Sequence, residues 1–331
     1  MSGRLDDLLS LGGMSLLSQL RRQEGRALAA VEPEPVEPGA ATLADLVRRW
    51  PWPMPRQIGT PGLGPGQFDH PYGAAISSVG DIVVCDTYNN RVQVFDPDGT
   101  FVRQWGGRGP AQGEFNLPRC VATSSTGDVV VADTYNHRIQ VFRLDGSFVR
   151  SWGSLGLAPG QFQYPFGVAV HGDLVLVSDS VNSRIQCFGL DGTFVRMWGS
   201  LGAALGQFNC PEGLAVSAAG EVFVCDMRNC RIQVFDLDGT FLRSWGSQGS
   251  APGQFEMPWF VTVSSVGEVL VSDWIRVHVF LVDGTFDRFQ RMPVGNRVFQ
   301  PTGVAVTPSG DLVICDITNN RIVVLPAGCC P

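Results

Sequence analysis

An aspartate closing a short aliphatic run recurs at Asp86, Asp133, Asp179, Asp226, Asp273 and Asp316, at spacings of 47, 46, 47, 47 and 43 residues. No feature limits the possible folds more, because a period of roughly 45 residues means one supersecondary unit copied along the chain. The proline that opens each unit keeps nearly the same period, as Pro71, Pro118, Pro165, Pro211, Pro258 and Pro301. Residues 113–153 show what one unit contains: CVATS, VVVAD, RIQVF and FVRSW are four strand-like runs rich in Val, Ile and Phe. Gly127-Asp128 and Asp145-Gly146 lie in the turns between them, where glycine takes positive φ without steric cost. The unit therefore reads as a four-stranded antiparallel meander. A lone sheet of that size cannot bury its apolar residues, so the copies must stack. The expected fold is all-β: a six-bladed β-propeller of four-stranded antiparallel blades, with a short helical or disordered N-terminal extension.

The repeats also divide the chain. Residues 1–50 form the extension, with loosely helical leucines and a VEPEPVEP spacer at 31–38, and residues 51–331 form the propeller. The sixth unit stops after its third run, RIVVL, while MPRQIG at 54–59 matches the fourth runs FVRQWG and FVRSWG. Residues 54–58 are thus expected to close the last blade and remove an unpaired edge. Net charge is −7 and all 24 basic residues are arginine, which argues against nonspecific binding to DNA or membranes. The nine cysteines include no CxxC pair, and there is neither a secretory segment nor an apolar run of membrane length. A cytoplasmic, monomeric propeller is the expectation.

Within the repeat, constant positions are explained by packing. Phe68, Phe115, Phe162, Phe208, Phe255 and Phe299 should fill the spaces between blades. Trp105, Trp152, Trp198 and Trp245 end the fourth runs, with Ile58 at the matching place. Each repeat aspartate faces an arginine five residues on, predicting turn-spanning ion pairs Asp86–Arg91, Asp133–Arg138, Asp179–Arg184, Asp226–Arg231 and Asp316–Arg321. A sixth is expected from Asp273 to Arg276, where the turn is two residues shorter and the blade should be least regular. Carboxylates already partnered make a poor catalytic or metal ring. His70, His137, His171 and His278 read as unrelated surface or turn residues. No catalytic residue, metal ligand or cofactor is expected.

The succession G-Q-F-x-x-P-x-G, D-T-Y-N-N/H-R-[VI]-Q-V-F and D-G-x-F-x-R-x-W-G, spread over residues 54–325, resembles the NHL repeat. Such repeats build the propellers of tripartite-motif and malin-type ubiquitin ligases, of RNA repressors and of a peptide-amidating lyase. The resemblance implies a recognition module, without the RING or B-box of those ligases. A substrate-recognition or adaptor role in ubiquitin-dependent protein degradation follows from it. A single-stranded RNA-binding propeller is the alternative, and a lyase or hydrolase propeller a further one.

Recognition should sit where the repeat varies. The loops before the inner strands and the second-to-third-strand turns share one face, here called the mouth face. Directly after the repeat proline come Tyr72, Arg119, Phe166, Glu212, Trp259 and Thr302. Two residues after the repeat aspartate come Tyr88, Tyr135, Val181, Arg228, Ile275 and Thr318. Aromatic and arginine side chains are common interface anchors. Tyr72, Arg119, Phe166 and Trp259 are expected at the channel mouth and Tyr88, Tyr135 and Arg228 in an outer arc, all exposed. On that basis alanine at Arg119 and Trp259 should leave the melt intact. Arg108, Arg291 and Arg297 could assist a nucleic acid, but Asp69, Glu114, Glu212 and Glu256 dilute the field. A protein or peptide partner is therefore preferred over RNA. The opposite face collects acidic turns with Arg143 almost alone among them.

Overall fold

The computed structural model describes residues 54–290 and 299–327. The N-terminal extension, Arg291 and Arg297 lie outside the described residues. The chain forms six four-stranded antiparallel sheets arranged as a β-propeller. Blade 1 runs through Pro71–Ile76, Ile82–Asp86, Arg91–Phe95 and Phe101–Gly106, from the axis outward. Blades 2 to 5 repeat this order, beginning at Pro118, Pro165, Pro211 and Pro258. Blade 6 contributes Pro301–Val306, Leu312–Asp316 and Arg321–Leu325, and its outer strand is Arg56–Ile58, with Ile58 opposite Ile322. An early segment thus pairs with the last strand, and hydrogen bonds close the ring.

The middle strands are buried on both faces, as in Ile82–Asp86 and Val222–Asp226. That is why their sequences are continuous aliphatic runs rather than alternating ones. The repeat phenylalanines 68, 115, 162, 208 and 255 are fully buried, and Phe299 nearly so. Each contributes about 1.5–3 kcal/mol on burial.

Blade-to-blade contacts recur at the outer strands. A Cβ on Gly146, Gly192, Gly239 or Gly284 would come within 3.1 Å of the tryptophan ring of the preceding blade. Gly99 meets Ile58 in the same way, so isoleucine does at the closure what tryptophan does elsewhere. The fourth-strand arginines cross the same boundaries: Arg56, Arg103 and Arg150 donate to the carbonyls of Pro97, Leu144 and Leu190 at 2.9, 3.0 and 2.7 Å. Arg196 and Arg243 do likewise to Leu237 and Val282. Arg143 is therefore not isolated on the acidic face, where it also pairs with Asp128 at 2.5 Å.

At the axis the inner strands approach closely. A Cβ on Gly73, Gly167, Gly213 or Gly303 would lie 2.4–2.6 Å from the carbonyl oxygen of the neighbouring inner strand's Arg119, Glu212, Trp259 or Tyr72. Only glycine permits that spacing. Blades 2 and 5 carry Cys120 and Phe260 at the same repeat position, and both side chains join the main core.

Candidate functional site

The repeat aspartates are the polar centres of the blades, and their role is structural. Asp133, fully buried, accepts from the Asn116 N–H (2.8 Å), Asn136 Nδ2 (2.9 Å), Arg138 Nε (2.7 Å) and Gln140 Nε2 (3.1 Å). Arg138 spends its other nitrogens on the carbonyls of Pro110, Ala111 and Glu114. The loop before the inner strand is thereby tied to the turn above it. Asp86–Arg91, Asp179–Arg184, Asp226–Arg231 and Asp316–Arg321 pair through Nε at 2.7–2.9 Å. These contacts use one guanidinium nitrogen, not two; in Arg91, Arg184 and Arg231, as in Arg138, backbone carbonyls hold the others, and Arg321 donates to the Gln57 side chain. Burial pushes the carboxyls of Asp86, Asp133 and Asp179 upward, against those donors. The asparagines of blades 1 to 4 and 6 and the glutamines of blades 1 to 4 that complete these clusters were signalled only by the recurrence of N and Q in D-x-x-N-x-R-x-Q.

Blade 5 breaks the expected set of six. Asp273 pairs with His278 Nε2 at 3.2 Å, not with Arg276. The two-residue turn lacks the asparagine that orients the carboxylate elsewhere, and the oxygens turn to the Glu256 and Met257 N–H groups. Arg276 instead donates to the Ser250 carbonyl (2.9 Å) and lies over the Phe289 ring. His278 stands where blades 1 to 4 carry glutamine and blade 6 carries Val323, and it is fully buried, not a surface or turn residue. His70 and His137 do lie in turns, at φ 54° each. His137 Nδ1 accepts the Tyr164 N–H at 3.1 Å, joining blade 2 to blade 3, and burial lowers its pKa. Among the described residues no group of three or more His, Cys, Asp or Glu side chains is placed to hold a metal ion.

The variable positions do converge at the axis, but as a packed cluster rather than an exposed arc. Tyr72 stacks on Trp259 with ring centroids 5.7 Å apart and meets the edge of Phe166 at 5.6 Å. Phe260 lies beneath, 5.9 Å from Tyr72 and 5.4 Å from Phe166. Phe166 is 3% exposed and Thr302 fully buried, whereas Tyr72, Arg119 and Trp259 are half-buried. Aromatics from blades 1, 3 and 5 thus pack against one another where the inner strands approach. Alanine at Arg119 and Trp259 would therefore disturb packing, contrary to the expectation from sequence. The sign of Phe260 in the sequence is a phenylalanine where four units carry glycine.

Arg119 completes the mouth. Its guanidinium carbon lies 4.9 Å from the Tyr72 centroid and 5.4 Å from that of Phe166, a cation–π arrangement. Its Nε is buried without a hydrogen-bond partner among the described residues. Burial works against its charge, but Tyr72 and Glu212 outweigh that and hold the guanidinium above its usual range. Glu212 is 9% exposed and accepts a weak bond from the Cys210 thiol at 3.5 Å. Burial pushes its carboxyl up to about 7, against the lowering pull of Arg119 and Cys210. Burial likewise raises the Tyr72 phenol.

The predicted outer arc is less uniform. Tyr88 is exposed and stacks on His70 at 4.3 Å. Tyr135 is half-buried against the edge of Tyr164 at 5.0 Å. Arg228 is exposed.

Five of the six units, residues 68–95, 115–142, 162–188, 208–235 and 300–325, match the family model of the NHL repeat. The chain is an NHL-repeat protein. The unmatched unit is blade 5, whose shortened turn and His278 depart from the pattern. Relatives of the repeat include the B-box type zinc finger protein ncl-1 of Caenorhabditis elegans, 51% identical over 45 residues, or 14% of this chain and 5% of that protein. Protein brain tumor of Drosophila melanogaster is 44% identical over 45 residues, 14% of this chain and 4% of its own length. Each match thus spans a small fraction of the relative. In architecture the NHL propeller resembles a streptogramin B lyase, with TM-score 0.62 at 13% identity over 82% of this chain and 96% of that one. A gluconolactonase from Xanthomonas campestris gives TM-score 0.61 at 17% identity, over 78% of this chain and 86% of its own. At those identities the likeness is one of fold. Among the described residues no helix is long and apolar enough to cross a membrane.

Proposed function

We propose that this NHL propeller is a non-catalytic scaffold that recognises a protein partner through its mouth face. The observation carrying this reading is the channel mouth: half-buried Tyr72 and Trp259 stack over the buried Phe166, with the Arg119 cation held against Tyr72 and Phe166. Rigid aromatics with an adjoining arginine suit a protein anchor, since little conformational entropy is lost on binding. A nucleic acid would need several cations tracking its phosphates. Instead, Glu212 shares the mouth with Arg119, and Asp69, Glu114 and Glu256 share the face. A part in substrate recognition for ubiquitin-dependent degradation rests on the family resemblance.

Capture from nuclease-treated lysate tests the reading. A variant combining Tyr88→Glu and Arg228→Glu alters exposed turns of the mouth face without touching the core. Asp98→Arg with Asp145→Arg does the same on the opposite face. The mouth-face variant is expected to lose the protein partner and the other to keep it. The reverse pattern would overturn the assignment, and loss of all partners on nuclease treatment would transfer it to RNA.

A further inference from the structure

We infer that the axial mouth is a carboxylate receptor: Arg119 takes the carboxylate of a peptide segment and Glu212 an N–H beside it. This rests on the protein-recognition reading and specifies its chemistry. The Arg119 guanidinium has no hydrogen-bond acceptor among the described residues; its contacts are with the Tyr72 and Phe166 rings. The contrast with the repeat arginines is direct. Arg91 donates to the Asp86 and Gln104 side chains and to the carbonyls of Leu63, Gly64 and Gln67. Arginine has five N–H donors in a planar fork; the Nε–H of Arg119 is buried without an acceptor among the described residues, and its terminal nitrogens are given none by them, so the fork is free for the acceptor of a ligand.

Glu212 sits on the next blade but one, nine-tenths buried, and among the described residues its one donor is the Cys210 thiol. No ion pair joins it to Arg119 among the described residues. A cationic fork and an acceptor thus face the axis from separate blades, both short of partners. A carboxylate matches the fork in charge and in its two-oxygen geometry. The Tyr72, Phe166 and Trp259 rings screen the contact from water and so strengthen it. A phosphodiester chain fits less well, because the mouth holds one arginine with an acid beside it. The carboxylate could come from a peptide C-terminus or from an Asp or Glu side chain.

Three immobilised octapeptide libraries separate these sources: neutral peptides with free C-termini, amidated peptides containing Asp or Glu, and amidated neutral peptides. The wild-type protein is expected to retain one acid-bearing library about tenfold or more over the amidated neutral one. Which of the two is retained identifies the source. Arg119→Gln should abolish the preference, and Arg119→Lys should keep part of it because the charge remains. A melt of each variant establishes that it is folded. Equal retention of all three libraries by wild type, or a preference surviving Arg119→Gln, would overturn the carboxylate assignment while leaving mouth-face recognition of a protein intact. Absence of retention in every library, or displacement of retained peptides by oligouridylate, would overturn it as well. Loss of mouth-face dependence in the lysate experiment is a separate result, and would remove the underlying reading.

Discussion

Replacing Asp133 by alanine should unfold blade 2 at a temperature well below that of the native protein. The carboxylate is fully buried, and Arg138, its partner at 2.7 Å, has a side chain 13% exposed. After the substitution Arg138 keeps its carbonyl acceptors at Pro110, Ala111 and Glu114 but loses its counter-charge. Gln140 keeps the Glu114 carbonyl and Asn136 that of Gly109. The Asn116 N–H is left with no acceptor, which costs about 1–3 kcal/mol. Removing one member of a buried pair costs about 3–5 kcal/mol, and the surviving carbonyl contacts place the total near that range. For a domain of this size each kcal/mol lowers Tm by about 2–4 °C, so a fall of roughly 6–20 °C is expected. Thermal melting by circular dichroism reads it directly. Asp98→Ala, at a side chain 95% exposed, is the control and should cost less than about 1 kcal/mol. A melt for Asp133→Ala within a few degrees of that control would refute the idea that these clusters hold the loops to the blades.

Ile58→Ala should cost about 2–4 kcal/mol in a denaturant titration, because Ile58 is 5% exposed and fills the contact with Gly99 that closes the ring; an unchanged midpoint would mean closure does not depend on that strand. Glu212→Gln should make stability less sensitive to pH. The folded-state carboxyl titrates near 7 instead of 4.5, so the folded protein resists ionisation that the unfolded chain accepts. The wild type should match the variant below about pH 4.5, lose ground as pH rises towards 7, and fall behind by at most about 3 kcal/mol above it. Parallel melts at pH 5 and pH 8 that shift equally in both proteins would contradict this. Gly303→Val should destabilise by about 1–3 kcal/mol or more, since its Cβ would meet the Tyr72 carbonyl at 2.6 Å; a native-like melt would show that the inner strands can spread.

The six-bladed propeller was legible because its information is periodic. A strand run, a turn glycine and a closing aspartate repeated at one spacing leave few ways to bury the same apolar positions six times. The ion pairs were legible for a related reason: Asp133 and Arg138 lie opposite each other across one hairpin, five residues apart. The exchange of Arg276 for His278 as the partner of Asp273 was not. It depends on which way a carboxylate turns once a two-residue turn removes its asparagine. The mouth was half-legible. Variation after the repeat proline pointed to Tyr72, Arg119, Phe166 and Trp259, but not to how they sit. Their separations of 47 residues from blade to blade, with 46 after Phe166 to Glu212 and 47 on to Trp259, carry no contact information. Local sequence determined the blades, whose strands pair with their neighbours in the chain everywhere but at the closing strand Arg56–Ile58. Only the closed ring decided the mouth, because inner-strand glycines bring side chains from blades 1, 2, 3 and 5 onto one axis, where rings stack and the Arg119 Nε has no acceptor among the described residues.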